Sequence, residues 1–135
     1  MNKHILIGAL CCFAIAHAIP ASAQDFLDKK QVTKLFTDQT VESFNLRTGT
    51  TSFTYYSPDG KAYQERYWTV RTGQWKVDSN GRMCLSMENK PFSCRHIVKD
   101  GKKFFKYRPN SKGKQKKIIR YRQFIQGNAL AKNQE

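Results

Sequence analysis

Apolar and polar residues fall into two patterns along this chain, changing near residue 40. Before it, Val32, Leu35 and Phe36 recur at spacings of three and four. That spacing predicts a short helix over Asp28 to Phe36 with Asp28 as N-cap, ended by Asp38-Gln39. From Val41 onward the alternation has a period of two, the signature of half-buried strands. The predicted strands are Val41 to Arg47, Thr51 to Ser57, Ala62 to Val70, Gln74 to Asp78, Met83 to Glu88, Phe92 to Lys99, Lys102 to Arg108 and Lys117 to Gln126. Turn compositions separate most of them: Arg47-Thr48-Gly49, Ser57-Pro58-Asp59-Gly60, Ser79-Asn80-Gly81, Glu88-Asn89-Lys90-Pro91 and Asp100-Gly101. Consecutive short strands with no helices between them predict an all-β fold with one N-terminal helix. The expected form is an antiparallel up-and-down barrel or a strongly curved meander, since closure removes exposed edges.

The first 23 residues belong to neither pattern. Lys3 precedes an apolar run from Ile5 to Ile19, then Pro20 and the small residues Ala21-Ser22-Ala23. This is the layout of a secretory signal peptide cut between Ala23 and Gln24. The run is shorter than the roughly 20 residues that span a bilayer, which argues against an uncleaved anchor. No second long apolar run follows, so no transmembrane segment is expected in the mature chain. The expected organisation is a leader over 1–23, one barrel-like domain over 24–127 and a disordered tail over 128–135, in a protein that is periplasmic or secreted.

Removing the leader changes the composition. The full chain holds 24 Lys or Arg against 10 Asp or Glu, and only Lys3 is lost, leaving 23 against 10, or +13. The mature chain of 112 residues is enough for one core. Its cysteines reduce to Cys84 and Cys94, and its histidines to His96. The two cysteines lie on adjacent predicted strands, about equally far from the turn near Asn89. That places them opposite each other, within disulfide reach, in a compartment that oxidises thiols. Read as metal ligands, Cys84, Cys94 and His96 lack a fourth partner, so no metal and no cofactor is expected.

Catalysis finds little support. His96 is the one candidate base, but no Gly-x-Ser-x-Gly elbow accompanies it and the cysteines are expected to be bridged. Asp59, Glu65, Asp78 and Glu88 are available as paired carboxylates. Asp59 and Asp78, however, sit in or beside turns, where backbone hydrogen bonding accounts for them. No Gly-rich phosphate loop precedes a helix. The chain is therefore expected not to be an enzyme, with an uncharacterised enzyme using His96 as base the last alternative.

The charge is concentrated at the C-terminal end. Lys99 to Arg122 contains eleven Lys or Arg and one acid, Asp100. If the last two strands pair, alternation predicts that Phe105, Tyr107, Ile119 and Tyr121 enter the core. Lys106, Arg108, Arg120 and Arg122 then form a cationic strip on the other face. Lys112, Lys114, Lys116 and Lys117 extend it through the connecting loop. Such a strip suits an anionic partner: lipopolysaccharide, phospholipid head groups, acidic polysaccharide or an acidic protein. Nucleic acid fits the charge, but export takes the chain away from it. The preferred reading is a non-catalytic binding protein, expected to be a monomer. The alternative is a small-ligand carrier whose barrel interior presents Tyr55, Tyr63, Tyr67, Trp68 and Trp75 to a ligand.

Several motifs occur in a fixed order: Thr40-Val41 after the helix, Tyr55 to Gly60, Gly73-Gln74-Trp75-Lys76-Val77, Cys84-Leu85, Cys94 and Asp100-Gly101. In this order the chain resembles a family of small exported proteobacterial proteins, domain of unknown function 995, with a lipocalin-like character. The resemblance spans about residues 29 to 126. It implies a barrel and export, and carries no activity and no catalytic residue. The basic end is heavier than the family pattern.

Overall fold

The computed structural model describes residues 25–130; the expected leader and residues 131–135 lie outside the described residues. One helix, α1 (Lys29–Phe36), precedes nine strands: β1 (Gln39–Asn45), β2 (Thr51–Tyr56), β3 (Lys61–Arg66), β4 (Thr69–Val77), β5 (Met83–Met87), β6 (Ser93–Arg95), β7 (Ile97–Asp100), β8 (Lys103–Pro109) and β9 (Gln115–Gln126). They form one sheet in the order β6-β5-β4-β3-β2-β1-β9-β8-β7, with every neighbouring pair antiparallel. The sheet curls into a nearly closed barrel, as the alternation predicted.

The seam shows how closure is reached. β6 and β7 stand at opposite ends of the hydrogen-bond order, yet only His96 separates them in the chain. One bent segment thus borders β5 above the bend and β8 below it. Where β7 leaves β5, the N-terminal segment takes its place: Phe26 bridges Val98, and the Leu27 N–H donates to the Ile97 carbonyl at 2.8 Å.

Helix α1 closes one end. The Asp28 carboxylate accepts from the Gln31 N–H at 2.8 Å, and the Gln31 side chain accepts from the Asp28 N–H at 2.9 Å, a reciprocal cap. Val32 and Phe36 are fully buried. Phe36 meets Tyr56, Tyr121 and Phe124 edge-on, at centroid distances of 5.0, 5.2 and 5.7 Å. Val41, Ala62, Trp75, Met83, Met87 and Ile97 complete this core. Burial pushes the Tyr56 and Tyr121 phenols above their ordinary range.

The pairing register corrects the expected faces of the basic hairpin. Tyr121 and Ile119 pack with the core, but their partners across β8 are Phe104 and Lys106. Phe105 lies opposite Arg120 and points outward. There it forms a second buried cluster with Val98 and Tyr107 instead of entering the main core. Lys106 is consequently on the inner side, level with the buried Ile97, and not on the cationic strip. A bulge leaves Ile118 of β9 unpaired and sets Lys117 opposite Tyr107, while plain alternation along β8 keeps Phe105 and Tyr107 on one face.

The expected strand over Ala62 to Val70 is two strands. Tyr67 and Trp68 form a two-residue turn with φ of 50° and 64°, and the chain reverses there. The gap expected around Gly73 is instead the middle of β4. Glycine is needed at that position because a Cβ would lie 2.0 Å from the Ser86 carbonyl oxygen. Residues 129 and 130, expected in the tail, lie against the barrel: Leu130 is buried, and the Ala129 N–H donates to the Thr40 hydroxyl at 2.9 Å.

Candidate functional site

Two turns, each held by an asparagine, define the site at the barrel end away from α1. The Asn45 side-chain oxygen accepts from the backbone N–H groups of Arg47 and Thr48 at 2.9 and 3.0 Å. This fixes the β1–β2 turn, which presents Leu46 and Arg47. The Asn110 side-chain oxygen accepts from the N–H groups of Lys112 and Lys114, both at 2.9 Å, and fixes the β8–β9 turn. Such local bonds give the backbone an alternative to the ladder and are why asparagine stands at both places.

Between these turns lies a groove of ≈390 Å³. Leu46, Pro109, Ile118 and Ile119 supply its apolar wall, and Arg47, Arg108 and Lys116 its charge. Among the described residues, no Asp or Glu lines it. Arg47, Arg108 and Lys116 are exposed. Lys117 also lines the groove, but its Nζ lies 4.2 Å from the Phe105 ring centroid and 2.8 Å from the Asp100 carboxylate. That ion pair holds the Asp100 carboxyl below its ordinary range and the Lys117 amine above its own.

The predicted basic residues therefore separate into groups. Arg108 and Lys116 meet at the groove, while Lys112 and Lys114 stand exposed at the turn beside it. Arg120 and Arg122 lie farther along the outer face. The Arg122 guanidinium sits 3.7 Å from the Phe44 ring centroid and 3.5 Å from the Glu42 carboxylate. Arg120 is half-buried between Phe44 and Phe105, its cross-strand partners. Lys106 faces inward, and burial together with the nearby Arg95 lowers its pKa to about 8.

The expected interior aromatics are mostly outside. Tyr55 and Tyr63 are cross-strand partners next to the inward pair Tyr56 and Ala62, so alternation turns them outward. Their rings stack at 6.3 Å, and the Tyr55 hydroxyl donates to Asp38. Tyr67 is 69% exposed and Trp68 100% exposed. Only Trp75 is interior, packed in the main core and donating its indole N–H to the Ser57 carbonyl at 2.8 Å.

Cys84 and Cys94 are opposed across β5 and β6 and joined by a disulfide. Asp78 is close enough to both sulfurs to suggest a metal cluster. The bridged sulfurs are not thiolates, however, and Asp78 already accepts from Arg82 Nε at 2.8 Å. His96 stacks on Phe26 at 4.2 Å, and its Nδ1 is buried without a hydrogen-bond partner. Burial, then the Arg82 charge, lowers its pKa. Among the described residues, no carboxylate hydrogen-bonds to this Nδ1.

A second groove, at the α1 end, is lined by Leu27, Leu35, Phe104 and Phe124 with Lys34 and Lys99. Among the described residues, no helix is long and apolar enough to cross a membrane. The class defined by this architecture is a small antiparallel β-barrel with one end plugged by a helix and a cationic groove at the other. No protein-family model, curated protein or solved structure matches the chain.

Proposed function

We propose that this is an exported, non-catalytic binding protein that takes an anionic ligand or envelope surface at the Asn45–Asn110 groove. The observation that carries this reading is the groove's lining: Arg47, Arg108 and Lys116 over an apolar wall, with no acid among the described lining residues. Exposed guanidinium and ammonium groups beside apolar surface favour a ligand with a phosphate, sulfate or carboxylate head. Lipopolysaccharide, phospholipid head groups, acidic polysaccharide and acidic proteins share that chemistry. Export is supported by the layout of residues 1–23 and by the Cys84–Cys94 bridge, which suits an oxidising compartment. The resemblance to the domain of unknown function 995 family agrees with this location and supplies no activity.

Retention on immobilised heparin, an acidic polysaccharide, tests the reading. The wild type is expected to bind and to elute progressively as salt rises. The Arg47→Ser/Arg108→Ser/Lys116→Ser variant is expected to elute at clearly lower salt. Coelution of this variant with wild type, or a larger loss in Arg120→Ser/Arg122→Ser, would contradict the groove.

A further inference from the structure

The β3–β4 turn is built from residues its geometry disfavours. Both central positions need φ > 0, where asparagine and glycine sit at little cost and bulky residues do not. This chain places Tyr67 and Trp68 there. The Trp68 ring is not used for packing, since it is 100% exposed. The turn is nevertheless held in place: the Tyr67 and Thr50 hydroxyls are 2.6 Å apart, tying it to the β1–β2 turn that carries Arg47. The Arg66 guanidinium lies 5.6 Å from the Tyr67 ring centroid.

Of the six large apolar side chains exposed among the described residues, Leu46, Tyr67, Trp68 and Val70 are at this end of the barrel. Cations stand at the same end: Arg66 beside Tyr67, Arg47 on the β1–β2 turn, and Lys112 and Lys114 on the β8–β9 turn farther round the barrel. The nearby acids are Glu65, opposite Val70 across the sheet, and Glu88, which pairs with Arg71 and Lys90. A projecting indole at the barrel end whose turns carry these cations matches a flat negative surface with an apolar layer beneath it. Tryptophan and tyrosine favour that boundary in bilayers, and Lys and Arg favour anionic head groups.

We propose that Tyr67-Trp68 is a membrane-interface anchor. Trp68 enters the head-group layer of an anionic phospholipid bilayer, while Arg47, Arg66, Lys112 and Lys114 contact the phosphates. This rests on the anionic-surface reading above and commits it to one surface. It also accounts for the disfavoured turn residues, of which Trp68 is fully exposed at the tip.

The test uses vesicles of phosphatidylcholine with and without phosphatidylglycerol. The chain has two tryptophans, and Trp75 is buried, so the solvent-exposed emission belongs to Trp68. With anionic vesicles this emission is expected to shift to the blue and to be quenched by brominated lipid. Trp68→Gly is expected to lower vesicle binding at least tenfold, with heparin retention unchanged and Tm unchanged or raised. Wild-type emission that stays put on vesicle addition, or a Trp68→Gly variant that binds vesicles as wild type does, would overturn the anchor. So would binding to an acidic protein without any vesicle response. Should Trp68→Gly fail to fold, the wild-type shift and brominated-lipid quenching decide the matter. Heparin retention without vesicle binding sinks the anchor alone; loss of both sinks the groove as well.

Discussion

Lys106 shows how much depends on the direction of one side chain. Its register partner Ile119 and its neighbour Ile97 both belong to the core side, so its amine is carried inward. Burial, then Arg95, brings its pKa to about 8. In the unfolded chain a lysine keeps its proton to about pH 10.4. Between these values the unfolded chain binds more protons, so stability rises with pH there. Below pH 8 the folded protein carries the full cost of holding a charged amine inside. Lys106→Met is therefore expected to stabilise the protein at pH 7 by on the order of 1–2 kcal/mol, reduced from the full shift because the side chain is partly exposed. The gain should shrink as pH rises through 8 and vanish near 10.5. Urea unfolding at the two ends of that range measures it. Equal gains at both would show that the amine is not the cause.

At the level of elements, the β5–β6 hairpin carries the disulfide. Reduction, or Cys84→Ser with Cys94→Ser, is expected to cost about 2–3 kcal/mol by freeing the unfolded chain, read as a fall in the urea midpoint. No change would mean that the hairpin is held by its ladder alone. This hairpin was legible in the sequence because Asn89 and Pro91 mark its turn and the two cysteines stand about equally far from it. α1 was legible for a similar reason: its cap and apolar spacing agree. The β3–β4 hairpin was not, because Tyr67 and Trp68 are strong strand formers sitting at turn positions. Gly73 misled in the opposite sense, since a glycine chosen for close backbone approach looks like a turn. The inward face of β9, with Ile119 and Tyr121, was read correctly, but that of β8 was missed, because alternation does not say which of two apolar sets meets the core. Phe104 and Phe105 are adjacent, and only the register with Tyr121 and Arg120 separates them. Of the candidate site, the basic residues were visible as composition. Arg47 and Leu46 were not, although Asn45 and the turn after it carried the signal that would have found them.

Across the whole molecule the two barrel ends differ in kind. One is sealed by α1 and the Phe36 aromatic cluster. The other gathers the turns that carry Arg47, Trp68, Lys112 and Lys114 and the groove between them. On the proposed reading, the end that gathers these turns is the one that meets the anionic partner. The most direct test is to map amide chemical shifts by NMR while titrating vesicle-derived anionic bicelles. The account predicts that perturbations concentrate at residues 46–50, 66–70 and 108–118. Perturbations centred on Lys34 and Lys99 beside the helix, or on Arg120 and Arg122 along the outer face, would contradict it.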